Sequence, residues 1–169
     1  MKSKPRIVLG VDPGTALCGY GLVLEEKGGF RALTYGTITT EKGMPMSKRL
    51  QTIFLELSEL AKIYNPNILS IEKLFFNKNV TTAISVGQAR GVCLLVAAEY
   101  GLDVFEYTPG EVKLSLTGNG KALKQQVGFM VKSLLNLDEI PKPDDTADAL
   151  AIALCYYFRN NQYFDALRG

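Results

Sequence analysis

From residue 6 onward the apolar positions fall into two distinct periods. RIVLGVD (residues 6–12) is almost wholly apolar and ends on Asp-Pro-Gly, as a buried strand stopped by a turn does. CGYGLVLEE follows closely, and FRALTYGTITT comes after Lys27-Gly28-Gly29, a hairpin signal. Three successive strands with short turns predict an antiparallel start. The period then lengthens. Leu50, Ile53, Phe54, Leu57, Leu60, Ala61 and Tyr64 recur at three and four residues, so an amphipathic helix is expected, stopped by Asn65-Pro66. NILSIEK reads as a fourth strand, Val80 to Tyr100 as a helix, and LDVFEYTP as a fifth strand. Helices are predicted over Lys121–Leu135 and Asp144–Phe158, with a shorter one around Glu111–Leu116.

Helical connections on either side of strand four favour parallel neighbours in a helix-covered sheet. The expected class is α/β, a mixed five-stranded sheet flanked by helices. With no repeat, linker or composition shift, residues 1–169 are expected to form a single domain. Gly87 and Gly91 each cost about 1 kcal/mol relative to Ala inside a helix. With Ala83 they lie four apart and form one stripe that admits a close neighbour, either the protein's own sheet or a second subunit.

Composition removes several chemistries. There is no histidine, which excludes a Ser-His-Asp triad and His-dependent zinc sites. The three cysteines are isolated within apolar runs and are expected to be buried free thiols of a reducing, cytoplasmic setting. The basic-then-apolar start is expected to be a first strand, not a secretory signal. No uninterrupted apolar run suggests a membrane span. The net charge is only +2, but Thr108 to Ser133 holds Lys113, Lys121, Lys124 and Lys132 against the single acid Glu111. Charge alone makes that a solvated basic face, and a polyanionic partner would also suit it.

Acid–base work then falls to carboxylates, lysine, tyrosine or metal-bound water. Asp12 ends the first strand and Glu72 the fourth. Gly10 and Ser70 lie two positions behind them on the same faces, leaving room for something to pack. If the two strands are adjacent, both acids stand at one edge. In the last helix Asp148 lies about 40° around from Asp144 at 100° per residue, with Ala151 and Cys155 near 340° and 20°. Asp148 is thus expected on a small apolar stripe facing the sheet. A carboxylate there needs a partner. No lysine or arginine occupies the first three turns of the helix, so the expected partner is a divalent cation shared with Asp12 and Glu72. All-oxygen ligands suit Mg²⁺ or Mn²⁺. Singly, Asp12 reads as a turn residue, Asp144 as an N-cap and Glu72 as a surface strand end; their joint placement points to a site. Helical angles do not separate Asp144 from Asp145.

Taken together, DPGTALCGYG, SIEKLFFNKN, SVGQARGV and DDTADALAIAL resemble the RuvC family of Holliday junction resolvases, of the ribonuclease H-like superfold. The resemblance covers nearly the whole chain in order. It implies metal-dependent resolution of four-way DNA junctions, with two strands of like polarity nicked symmetrically. The implied products carry a 5′ phosphate and a 3′ hydroxyl, as expected of an enzyme of recombination and DNA repair. It implies Asp12, Glu72, Asp145 and Asp148 as catalytic acids and metal ligands; the family spacing of the helical pair selects Asp145 over Asp144. One lineage of the family has histidine at the Asp145 position. Two Mg²⁺ ions per site, with Mn²⁺ as substitute, would sit ~4 Å apart. Phe75 would stack on bases at the opened crossover, and Lys78, Lys113 and Lys124 would hold backbone phosphate. The implied partners are junction DNA, a second subunit through the GQARG helix, and a branch-migration helicase. DxGxxxxGxG is shared with actin-like ATPases, but those are about twice as long and carry a second DxG motif. A silent junction-binding module and an RNA-directed relative are the remaining rivals.

Overall fold

The computed structural model describes residues 6–75 and 79–160. Five strands form one sheet: β1 (Ile7–Asp12), β2 (Leu17–Glu26), β3 (Gly29–Thr39), β4 (Ile68–Glu72) and β5 (Asp103–Tyr107). Their order across it is β3-β2-β1-β4-β5. The first three are antiparallel, as their short turns require, and β1, β4 and β5 run parallel across helical crossovers. The helices are α1 (Met46–Tyr64), α2 (Val80–Tyr100), α3 (Pro109–Thr117), α4 (Lys124–Leu134) and α5 (Asp144–Asn160).

Strand alternation divides the core into two layers. Leu9 and Val11 of β1, with Leu69 and Ile71 of β4, face α1 and α2. Val8 and Ile68 face α5, behind which α3 and α4 close the other layer. α5 is therefore apolar nearly all round, with Ala147 and Ala149 to Tyr157 buried.

Glycines on the strands set how near α5 lies. A Cβ at Gly10 would stand 2.1 Å from the Ala149 carbonyl oxygen, and one at Gly21 would stand 2.5 Å from Leu150 Cδ2. Ser70, the small residue behind Glu72, donates its hydroxyl to the Ile152 carbonyl at 2.7 Å. Something does pack behind both acids, and it is α5. The stripe on the sheet differs from expectation, however. Ala149 and Ala153 meet the strand backbone, while Cys155 turns to Ser115 of α3 at 3.3 Å. A helix buried on every side gives periodicity no basis for choosing which side meets the sheet.

The α2 stripe also departs from one of its two expected uses. Ala89, Cys93, Val96 and Ala97 make the inward face, whereas a Cβ at Gly91 would meet nothing within 4 Å. Val80, Ile84 and Leu95 are exposed along the same outer side. The protein's own sheet is not what the glycines accommodate. By length and composition α2 would also pass as a membrane span, yet Gln88 and Arg90 interrupt it and its inner face is core against α1 and the sheet. The three cysteines are buried and free, as expected.

Candidate active site

Asp12 and Glu72 leave the sheet side by side. Val11 lies opposite Ile71 in the parallel β1–β4 pair, and the next residue on each strand is the acid. Asp12 is also paired with Gly19 across β1–β2. Gly19 lies directly beneath α5, where a Cβ would stand 2.1 Å from the Asp145 carbonyl oxygen and 3.2 Å from its Cβ. The bare backbone at Gly19 thus lets Asp145 come down beside Asp12. Asp144 turns the other way. It is the first residue of α5 rather than a residue before it, and its carboxylate lies 3.3 Å from Lys142 Nζ and 3.5 Å from Lys124 Nζ. The geometry therefore separates two aspartates that helical angles did not.

Asp148, one turn further on, faces a groove between the sheet edge and α3–α4. The groove, about 220 Å³, is lined by Glu72, Lys113, Lys124 and Asp148 over apolar walls from Val112, Val127 and Ile152. Here another expectation is corrected. Asp148 has a cationic partner: Lys124 Nζ lies 3.2 Å from its Oδ2. Lys124 opens α4, far from α5 in sequence, so inspection of α5 alone could not find it. A second cleft, about 440 Å³, lies on the far side of Glu72 and is lined by Asp12, Glu72, Lys73, Phe75, Asn79, Thr82 and Arg90 among others. Glu72 and Pro109 border both clefts, with Asp12 lining the larger and Asp148 the smaller.

The electrostatics are those of crowded, half-buried carboxyls. Burial, followed by the charges of Asp148, Glu72 and Asp145, pushes Asp12 up to about 7. Like charges this close oppose one another's ionisation, which adds to burial in raising Asp12. Glu72 is raised by burial and by Asp148, with Lys113 opposing. Asp148 is raised by burial, while Lys124 pulls the other way. Desolvation lowers Lys124, but Asp148 and Asp144 outweigh it and the net shift is upward. Asp144 is lowered by Lys142 and then by Lys124. Among the described residues, no three acids converge on one point as tightly as an ion would draw them. The donor set nonetheless fits a hard divalent cation: it is all oxygen, supplied by two strand ends and one helix, with mutual repulsion that a cation relieves.

Comparison with known proteins is decisive at this point. A sequence model of the crossover junction endodeoxyribonuclease RuvC family matches residues 8–156. The chain belongs to the RuvC family. A RuvC relative from Heliobacterium modesticaldum is 54% identical over 149 residues, covering 88% of this chain and 92% of that protein. The solved structure of T. thermophilus RuvC in complex with a Holliday junction substrate superposes with a TM-score of 0.88 at 35% identity, covering 92% of this chain and 94% of that one. The yeast mitochondrial Holliday junction resolvase shares the fold, at 15% identity and a TM-score of 0.60, covering 89% of this chain and 78% of that one. The ribonuclease H-like architecture expected from the RuvC resemblance is therefore the one observed.

Of the other residues singled out in the sequence, Phe75 is 53% exposed and lines the larger cleft. Phe76 and Lys78 lie outside the described residues. Lys113 and Lys124 flank Glu72 and Asp148 across the smaller groove. Sequence reasoning missed Arg90, which borders the larger cleft and is ion-paired with Glu106 of β5. GQARG was read only as a helix face; helical spacing from Ala83 and Val86, which line the same cleft, would have placed Arg90 there.

Proposed function

We propose that this chain is a crossover junction endodeoxyribonuclease, a nuclease that hydrolyses phosphodiester bonds in four-way DNA junctions. Membership of the RuvC family supports the activity, and the likeness to RuvC in complex with a Holliday junction supports the substrate. The observation that supports the mechanism is Asp12 and Glu72 at the ends of the adjacent strands β1 and β4, with α5 carrying Asp145 and Asp148 over the same sheet edge.

These four carboxylates would hold divalent cations, Mg²⁺ or Mn²⁺, two per site. When bound, such ions activate the attacking water and stabilise the departing 3′ oxygen. The protein's own contribution is orientation and charge. Lys113 and Lys124 stand where the backbone of the cleaved strand would cross the groove; Lys124 would exchange Asp148 for phosphate as the acid takes up its ligand role. Phe75 offers an exposed ring for stacking on an unpaired base, with Lys78 beside it in sequence. The products are a 5′ phosphate and a 3′ hydroxyl. The outer face of α2, with Val80, Ile84, Gly91 and Leu95, pairs two subunits about a two-fold axis and presents two sites to strands of like polarity. A branch-migration helicase is the expected partner upstream of cleavage.

The test is a labelled four-way junction incubated with the protein and Mg²⁺. Paired nicks at symmetric positions on strands of like polarity support the reading. Random nicking of duplex, or nicking undiminished by chelator, overturns it.

A further inference from the structure

The turn carrying Asp12 into β2 is short and tightly folded. A Cβ on Gly14 would meet the Leu17 carbonyl oxygen at 2.3 Å, so Asp12-Pro13-Gly14-Thr15 doubles back on itself. Such a turn has few bonds of its own, and Asp12 ends its strand just before it. What holds it is Thr15, which is buried. Its carbonyl accepts the Thr40 hydroxyl at 2.6 Å, and the Thr40 amide donates to Ala16 at 3.1 Å. Its own hydroxyl is hydrogen-bonded to Ser85 Oγ at 2.7 Å, across seventy residues of sequence. The two bonds to Thr40 anchor the turn beyond the end of β3, and the bond to Ser85 anchors it to α2.

We infer that Thr15 and Ser85 are positioning residues for metal-dependent cleavage: their hydrogen bond fixes the Asp12 turn against α2. The inference rests on Asp12 being a metal ligand. A carboxylate at a strand end is only as well placed as the turn that follows it. Small displacements of a ligand are expensive, because a hard cation demands near-ideal geometry. Ser85 sits on α2 one residue beyond Ile84, whose exposed side chain belongs to the face proposed for subunit pairing. The bond thereby gives each site a physical link to the helix that meets its twin. Neither hydroxyl touches substrate, so the two residues act through Asp12 and not on the scissile phosphate.

The test is the Mg²⁺ dependence of junction cleavage for Thr15→Val, Ser85→Ala, the double variant and Thr15→Ser. Junction affinity without divalent ion and the melting temperature are measured alongside. Removing either hydroxyl is expected to raise the half-saturating Mg²⁺ concentration at least roughly tenfold, the scale of losing a group behind a metal ligand. The double variant should be no worse than either single one, because one bond is lost in all three. Thr15→Ser, which keeps the hydroxyl, should behave as the wild type, and junction affinity should not change. A wild-type Mg²⁺ response in folded Thr15→Val and Ser85→Ala overturns the inference, as does a Thr15→Ser defect equal to that of Thr15→Val. Wild-type protein that fails to nick in Mg²⁺ overturns the functional reading itself, and the inference with it.

Discussion

Asp12 is raised from 3.8 to about 7 by burial and then by Asp148, Glu72 and Asp145. Its protonated form is therefore the one the metal-free fold favours. That stability is fully present below about pH 4 and is lost as pH rises through about 7. Divalent ions need the deprotonated set, so they compete with the proton on Asp12. Mg²⁺ or Mn²⁺ should accordingly raise the melting temperature more at pH 8 than at pH 6, as thermal scans at fixed ion concentration would show. An equal rise at both would contradict the raised Asp12. The paired aspartates give a second test at this scale. Asp145→Asn should reduce cleavage beyond the roughly 10–100-fold typical of residues behind a ligand, while Asp144→Asn stays within a few-fold of wild type. Asp148→Asn should abolish cleavage and leave junction binding, since the basic face remains. Asp12, Glu72 and Asp148 stood out in the sequence only through their joint placement, at two strand ends and on the inward side of a helix, and Asp145 only through the family spacing. Lys124 on Asp148 was not legible, because the pair joins the start of one helix to another across a gap that no local period spans.

At the scale of elements, the fit of α5 on β1 and β2 follows from three glycines. Gly10 and Gly19 let helix backbone lie where any side chain would stand, and Gly21 makes room for the Leu150 side chain. Gly10→Ala should destabilise the protein by about 1–3 kcal/mol or more, since the new methyl meets backbone and not a flexible side chain. Urea unfolding measures it, and a change within about 0.5 kcal/mol would contradict the close approach. Strand alternation and helical spacing gave the elements and sheet type, because strands of opposite face and helices with one apolar stripe leave a plain pattern. They failed for α5, whose burial on all sides removes the contrast that periodicity needs. They also misjudged Asp144, which was expected to cap α5 and instead opens it beside Lys142 and Lys124.

At the scale of the whole molecule, two clefts meeting at Glu72 and an exposed apolar face on α2 suit a substrate that is branched and has two-fold symmetry. Ile84→Glu with Leu95→Glu should convert the protein to a monomer in sedimentation, and an unchanged mass would remove the pairing face from α2. The central claim is that Asp12, Glu72, Asp145 and Asp148 gather divalent ions at the sheet edge. Anomalous diffraction from crystals soaked in Mn²⁺ tests this most directly. Mn²⁺ peaks are expected bonded to Asp12 and Glu72, with Asp148 swung from Lys124 onto the ion and Asp145 in the same cluster. Mn²⁺ held only at Asp144, or no Mn²⁺ within bonding distance of Asp12 and Glu72, would contradict it.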